Sequence, residues 1–249
     1  MKMKTLKHTF LGVTAILLST SLFARADDND LASDEELYTG KEWAAAYKNP
    51  KDDPERPNIL IIGDSISSGY TANVRLKLKD KADVFRINGN GKNSAYGLAN
   101  LDKWLGKRDW DVIHFNWGLW DLCYRHPQSK EQGHRDKNRG EITATPEEYQ
   151  ANLKKIVARL QKNDAKLIWC TTTPVPDFEA GRKLGDDLVY NKIAAKIMRD
   201  KKIHISDLHA HALLQYSKIQ KKKGDVHFNK KGYSYLAEKV AKEIEDALP

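Results

Sequence analysis

Five short apolar segments, separated by helical ones, constrain the fold of this chain most strongly. The first, Asn58–Ile62, is a continuous apolar run bounded by turn-forming residues, which is typical of a strand buried on both faces. Four later segments have the same character: residues 83–87, Val112–Phe115, Lys166–Cys170 and residues 203–205. Strands that alternate with helices predict one parallel sheet covered on both faces, with ligands bound at the carboxyl ends of the strands.

The helical segments lie between these strands. Residues 94–105 place leucines at helical spacing and are followed by a glycine, which is a common helix stop. Residues 145–148 combine a threonine N-cap, a proline at the first helical position and a glutamate three residues after the cap, which predicts a helix start. Residues 188–198 and 233–248 complete the set of predicted helices around the sheet.

The first 26 residues have the pattern of a secretory signal peptide. A lysine-rich start precedes an apolar stretch, which ends before the small-residue cleavage motif at Ala24 and Ala26. That stretch is shorter than the roughly 20 residues that span a bilayer. We therefore predict a signal peptide at residues 1–26, an N-terminal extension and linker at 27–57 with a helix over 31–47, and one α/β domain at 58–249. The expected location is the periplasm or the medium.

Charge and composition limit the possible partners. Loss of the signal removes four of the 42 basic residues, so the net charge falls from +8 to +4. A surplus of this size does not favour nucleic-acid binding, and no later apolar run is long enough for a membrane span. The sequence indicates no nucleic-acid partner and no membrane contact after processing, and it carries no signal for an oligomeric state.

The sequence predicts neither a metal site nor a disulfide-rich scaffold. Two cysteines, Cys123 and Cys170, are too few for a four-cysteine zinc site, although one bridge between neighbouring strand ends is possible. A cluster of His204, Asp207, His209 and His211 has metal-binding side chains. On a strand that leads into a helix, however, these side chains would point in different directions. We expect no metal and no other cofactor.

Two segments carry candidate catalytic residues. Ser65 lies at the turn from the first strand into a helix, where the helix dipole and free N–H groups favour negative charge. His227 lies in the loop before the last helix and could serve as its base, with Asp225 orienting the imidazole. The alternative is structural: Asp64 and Ser65 are ordinary helix-capping residues, and His227 could be a loop histidine beside a cap at Asn229.

Four segments together resemble the signatures of the SGNH (GDSL-type) hydrolase family. Residues 63–67 are similar to its first signature, 88–91 to the second, 118–121 to the third and 225–233 to the last. The resemblance implies Ser65 as nucleophile, His227 as general base and a flavodoxin-like three-layer α/β/α sandwich with a five-stranded parallel sheet. Residues 114–122 and 171–176 are also similar to the corresponding segments of exported bacterial members of the family.

The chain departs from the family pattern in two places. The resemblance implies an oxyanion hole made by the N–H groups of Ser65 and Gly91 (with Gly89 as second choice) and an asparagine side chain, but Trp120 occupies the asparagine position. Either the indole N–H of Trp120 or the Asn116 side chain is then the third donor. The family's acid lies three residues before the histidine, where this chain has a glycine, so either Asp225 completes a triad or a Ser-His dyad operates.

These residues lead to a predicted function with open alternatives. We expect an exported serine ester hydrolase that works through an acyl-enzyme, and the resemblance implies O-deacetylation of carbohydrate. The alternatives are hydrolysis of lipid or other acyl esters, and glycan binding on a catalytically degenerate scaffold. Asp64, Trp120 and Arg125 are predicted to contact the substrate, and the basic segment 125–139 is predicted to form either a rim selective for anionic glycans or a plain surface insertion.

Overall fold

A computed structural model describes residues 43–249 of the chain. The predicted signal peptide and most of the helix predicted over 31–47 lie outside the described residues. In the described part, five parallel strands form one sheet: β1 Asn58–Ile62, β2 Asp83–Arg86, β3 Val112–Phe115, β6 Lys166–Cys170 and β7 His204–Ser206. Their order across the sheet is β2-β1-β3-β6-β7, and the short strands β4 and β5 form a separate pair described below.

Seven helices cover the sheet within residues 43–249. They are α1 Ser65–Leu78, α2 Ser94–Leu105, α3 Pro146–Leu160, α4 Asp186–Asp200, α5 Leu208–Leu213, α6 Tyr216–Ile219 and α7 Lys230–Glu245. Helices α1 and α7 pack together with α5 and α6 in one layer, and α2, α3 and α4 form the other. The predicted three-layer α/β/α sandwich is therefore confirmed. None of the helices in this part of the chain is long and apolar enough to cross a membrane.

The predicted elements differ from the observed ones mainly at their ends. Three strands and helix α2 have the predicted bounds, whereas α4 and α7 begin two and three residues before the predicted starts. Helix α7 starts early because the Asn229 side chain accepts a hydrogen bond from the Gly232 N–H at 2.9 Å. The first turn of α7 is polar, so hydrophobic periodicity does not detect it.

A close helix crossing brings the two ends of the domain together. A Cβ atom on Gly69 of α1 would lie 2.0 Å from Cε1 of Tyr233 in α7, so only glycine permits this contact. Helix α1 begins at Ser65, and α7 begins three residues after His227. The crossing therefore holds these two residues, distant in sequence, at the same edge of the sheet.

Residues 43–57, predicted as extension and linker, pack against the domain rather than forming a free connection. Buried Arg75 of α1 donates hydrogen bonds to the carbonyl oxygens of Ala45, Ala46 and Lys48. The Asn49 side chain accepts from the N–H of Arg86 at 2.8 Å and donates to its carbonyl oxygen at 3.0 Å. The segment thus pairs with the outer edge of β2 and with α1.

The basic segment after β3 is folded. Strand β4 (Tyr124–Arg125) pairs antiparallel with β5 (Glu141–Ile142), and Arg125 also forms a bridge with Arg135. A short 3-10 turn, Gln132–His134, lies between them. These contacts place the segment as an ordered projection from the carboxyl edge of the sheet.

One buried histidine predicts a pH-dependent stability. His114 of β3 is fully buried, neither ring nitrogen has a hydrogen-bond partner in the described residues, and its ring meets that of Tyr70 edge-on at 6.2 Å. Burial lowers the pKa of His114 from 6.5 to about 4. Above pH 6.5 both folded and unfolded chains hold a neutral ring. Between pH 6.5 and 4 only the unfolded chain takes up the proton, so the free energy of unfolding falls as pH falls.

The expected loss over that range is about 3 kcal/mol, from about 1.4 kcal/mol per pKa unit. Urea unfolding of wild type and His114→Phe at pH 7.5 and 4.5 measures it, and the difference between the two pH values should shrink by that amount in the variant. His134→Gln, at an exposed position, should keep the wild-type difference. The same pH dependence in His114→Phe would contradict this assignment.

Candidate active site

Ser65 lies where the buried first strand turns into α1. The Asp64 side chain caps this helix by accepting a hydrogen bond from the Ile66 N–H at 3.0 Å. Burial raises the pKa of Asp64, while the bond from Ile66 and the positive charge of Arg182 oppose that rise. Asp64 therefore shapes the turn that presents the Ser65 hydroxyl, in addition to lining the cavity in front of it.

A buried arginine, Arg86, is hydrogen-bonded to the turn that precedes Ser65. Arg86 at the end of β2 donates from Nη2 to the carbonyl oxygens of Gly63 and Asp64, each at 3.0 Å. Its Nη1 donates to the carbonyl oxygen of Gly89 at 2.7 Å, and its guanidinium lies 5.1 Å from the ring centroid of Tyr47. Because the guanidinium is planar with fixed donors, it ties the turn before Ser65 to the loop after β2.

His227 and Asp225 complete a chain of hydrogen bonds to Ser65. The Ser65 Oγ lies 2.9 Å from His227 Nε2, and His227 Nδ1 lies 2.7 Å from Asp225 Oδ1. The same carboxylate oxygen accepts the His227 backbone N–H at 3.0 Å. Burial would raise the pKa of Asp225, but these bonds from His227 outweigh it and lower the pKa to about 2. Asp225 is therefore ionised at every working pH, which favours the proton on Nδ1 and leaves Nε2 as acceptor.

The local backbone explains how an acid two residues before the histidine reaches the ring. Gly224 has φ of 74°, a conformation that favours glycine. The loop is closed by a bond from the Lys221 N–H to the His227 carbonyl oxygen at 2.9 Å. The Asn229 side chain also donates to the Lys218 carbonyl oxygen at 2.9 Å. With both ends fixed, Asp225 folds back onto the imidazole.

An open cavity of about 450 Å³ lies in front of the serine. It brings together six of the residues predicted for the site, whereas Gly91 and Asn116 are not part of its lining. The six are Asp64, Ser65, Trp120, Arg125, Asp225 and His227.

Gly91 and Asn116, which were predicted as oxyanion donors, do not line the cavity, and the structure shows why. The Gly91 N–H donates to the Gly63 carbonyl oxygen at 2.9 Å, so it is not directed at the cavity. The Asn116 amide donates to the Cys170 carbonyl oxygen at 2.7 Å and is buried behind the sheet edge. The Gly91 N–H and one of the two Asn116 amide hydrogens are thus engaged within the fold, next to the ends of β1 and β3.

A different amide from the same glycine-rich loop faces the cavity. Asn90 lines it beside Ser65, and its Oδ1 accepts the Lys92 N–H at 2.8 Å. With the oxygen held in this way, the Asn90 NH₂ group is left as a donor without a hydrogen-bond partner in residues 43–249. The Ser65 N–H, at the first position of α1, is a second donor at this place.

Sequence reasoning missed other residues of the cavity. The Trp43 ring lies 5.5 Å from the His227 ring, between centroids, although its segment gives no motif. Buried Arg182 comes from the loop between β6 and α4, where the sequence has no motif or periodicity that predicts a binding residue. Lys222 and Lys223 also line the cavity, and their position just before Asp225 was the available signal.

The other candidate sites have structural partners. In the described residues no cluster of three metal-binding side chains occurs. His209 pairs with Asp187 at 2.7 Å, and the His211 ring stacks on the Tyr235 ring at 4.0 Å, so the predicted divergence of this cluster is observed. Cys123 and Cys170 are both free and buried.

The fold and the geometry define a class: a three-layer α/β/α sandwich in which a serine at the end of the first strand is hydrogen-bonded to a histidine before the last helix. The model of the GDSL-like lipase/acylhydrolase family matches residues 61–235, and the chain belongs to this family. The predicted family resemblance is thereby confirmed. No curated protein has a significantly similar sequence.

Solved structures with the same fold are distant in sequence. The acetyl xylan esterase AlAXEase is 19% identical with a TM-score of 0.60, over 75% of this chain and 99% of that one. A lipase/acylhydrolase from Enterococcus faecalis is 18% identical with a TM-score of 0.61, over 78% and 97%. The acetylxylan esterase Axe2 from Geobacillus stearothermophilus is 17% identical with a TM-score of 0.61, over 76% and 94%.

Proposed function

We propose that this protein is a serine ester hydrolase that forms an acyl-enzyme on Ser65. The observation that carries the proposal is the unbroken chain of hydrogen bonds from Ser65 through His227 to Asp225, at the wall of an open cavity. A degenerate binding scaffold has no need for a serine and an imidazole 2.9 Å apart. This geometry therefore favours catalysis over glycan binding alone.

The residues have distinct roles in the proposed reaction. Ser65 Oγ attacks the ester carbonyl carbon while His227 Nε2 takes the hydroxyl proton, and Asp225 stabilises the imidazolium that forms. His227 then gives this proton to the departing alcohol oxygen as the carbon–oxygen bond breaks. Water attacks the acyl-enzyme with His227 as base, which releases the carboxylic acid and restores Ser65.

The negative oxygen of the tetrahedral intermediate needs donors at the cavity wall. We assign the Ser65 N–H and the Asn90 NH₂ group to this role, because both lie at the cavity and neither has another partner in the described chain. This arrangement replaces the donors Gly91 and Asn116, whose N–H groups are bonded within the fold. The helix dipole of α1 adds to the stabilisation.

The proposed substrate is an O-acetylated carbohydrate. Charged and polar side chains form much of the cavity wall. Trp120 and exposed Phe178 offer flat apolar faces at the cavity. Two of the solved structures with this fold are acetylxylan esterases. Lipid and other acyl esters are the second candidate.

We also propose that the protein is exported to the periplasm or beyond, on the basis of the pattern in residues 1–26. Ester hydrolysis by these residues uses no cofactor in the proposed mechanism.

A substrate panel tests the proposal. The purified chain is incubated with acetylated glycans and with 4-nitrophenyl esters of increasing acyl length, and released acid is measured. We expect acetate release from glycans, and kcat/KM at least about 10-fold higher for acetyl than for octanoyl esters, since each misplaced methylene costs about 1–3 kcal/mol. Faster cleavage of long acyl chains would favour the lipid alternative, and no cleavage with retained glycan affinity would favour a binding protein.

A further inference from the structure

Cationic side chains outnumber carboxylates around the cavity in front of Ser65. Its lining includes five cationic side chains, Arg125, Arg135, Arg182, Lys222 and Lys223, and three carboxylates, Asp64, Glu131 and Asp225. Glu179 is shared by Arg135 at 2.7 Å and Arg182 at 2.9 Å. In residues 43–249, no carboxylate lies at ion-pair distance from the remaining three, so their charge is not neutralised by the protein.

The arginine wall of the cavity is held rigidly. Arg182 is buried and donates from Nε to the Leu119 carbonyl oxygen at 2.6 Å. The Arg125 guanidinium lies 4.7 Å from the ring centroid of Trp120 and donates to the Gly133 carbonyl oxygen. Burial lowers the pKa of Arg125, and the positive charges of Arg182 and Arg135 lower it further. An anion at this wall would relieve the repulsion between these groups.

Two lysines extend the charge to the loop that carries the catalytic acid. Lys222 and Lys223 are exposed and are separated from Asp225 only by Gly224. The Lys223 ammonium lies 3.8 Å from the ring centroid of Phe178, which places it over an aromatic face at the cavity. Cationic side chains therefore lie on both sides of the cavity, and each side carries an aromatic ring.

We propose that this cavity binds an anionic group, a carboxylate or a sulfate, on the sugar that carries the ester. The inference rests on the proposed esterase function and narrows its substrate class. An acetyl group has no charge, so the anion must belong to the alcohol part of the ester. Arg125, Lys222 and Lys223 supply the charge that no carboxylate pairs with.

Only part of the basic rim predicted for residues 125–139 lines the cavity. Arg139 is exposed, pairs with Asp136 at 2.7 Å and does not line the cavity. Of the basic residues in that segment, only Arg125 and Arg135 reach the lining. The rest of the proposed subsite comes from later parts of the chain, at Arg182 and the two lysines.

A matched pair of substrates tests the subsite. Mono-O-acetylated methyl glucuronide and mono-O-acetylated methyl glucoside differ in a carboxylate, and we expect kcat/KM to be at least about 10-fold higher for the charged sugar. The preference should fall in 0.5 M NaCl. It should fall about 10-fold in Arg125→Gln, and also in the double variant Lys222→Gln/Lys223→Gln, whose exposed positions do not threaten folding. Arg139→Gln should keep the wild-type ratio.

A binding measurement separates this inference from the proposed function. Calorimetry on Ser65→Ala with methyl glucuronide, glucose 6-sulfate and methyl glucoside needs no hydrolysis. Tighter binding of either anion supports the subsite and shows which anion it prefers. If the anions bind but no ester is cleaved by wild type, the esterase proposal fails and the subsite stands. Equal binding of charged and neutral sugars overturns the subsite even in an active enzyme.

Discussion

Substitution of Ser65 by alanine is expected to lower kcat by about 10⁴-fold or more, because no other group at the cavity can form the acyl-enzyme. The Ser65 hydroxyl lies 2.9 Å from His227 Nε2, which activates it. Initial rates on 4-nitrophenyl acetate measure the loss. Covalent labelling by a fluorophosphonate, followed by mass spectrometry, should show one adduct on wild type at Ser65 and none on Ser65→Ala.

A second serine provides the control. Ser217 on α6 is exposed and does not line the cavity, so Ser217→Ala should keep wild-type rates and full labelling. Near-normal turnover in Ser65→Ala, or a fluorophosphonate adduct at another residue, would contradict the assignment of the nucleophile.

Substitution of Asp225 by asparagine is expected to lower kcat by about 10⁴-fold with a much smaller change in KM. The carboxylate accepts the ring Nδ1–H of His227 and its backbone N–H, and its pKa of about 2 keeps it charged. An asparagine amide can donate to Nδ1 instead, which moves the ring proton to Nε2 and removes the acceptor that Ser65 needs.

This variant also distinguishes a triad from a Ser-His dyad. In a dyad the imidazole works without an acid, so Asp225→Asn would retain most of the activity, and that result would contradict our expectation. Asp200→Asn, at an exposed position on α4 where the carboxylate pairs with Lys196 at 2.8 Å, removes a carboxylate of similar chemistry and should leave kcat unchanged. Unfolding curves for both variants confirm that a loss of rate is not a loss of structure.

The sheet was predictable because its strands β1, β2 and β3 are buried on both faces. Such a strand must be a short apolar run, and β1 at Asn58–Ile62 has the predicted bounds. Helix α3 was predictable from its Thr145 cap, where the structure has the reciprocal capping box with Glu148. The polar first turns of α4 and α7 were not, since they carry no hydrophobic periodicity: α4 begins after Gly185 without a side-chain cap, and α7 begins at a local Asn229 cap.

The sequence predicted those site residues that combine a reactive side chain with a position at the end of a predicted strand or helix. Ser65 and His227 lie at element ends, and the crossing of α1 and α7 brings them to 2.9 Å. The donors for the oxyanion depend on how loops close, and in the structure the Gly91 and Asn116 groups are engaged within the fold. Trp43, whose ring contacts that of His227, precedes the first strand and so lies outside the alternation of strands and helices on which the prediction was based.

Residues 43–57 have a practical consequence for anyone who shortens this chain. The alternating pattern begins at β1, and a boundary drawn there would leave buried Arg75 without three of its carbonyl partners and would uncover the outer edge of β2. It would also remove Trp43, which lies against the catalytic imidazole in the structure. Expression trials should therefore place the amino terminus ahead of Trp43, because the smallest autonomous unit is larger than the sheet and its helices suggest.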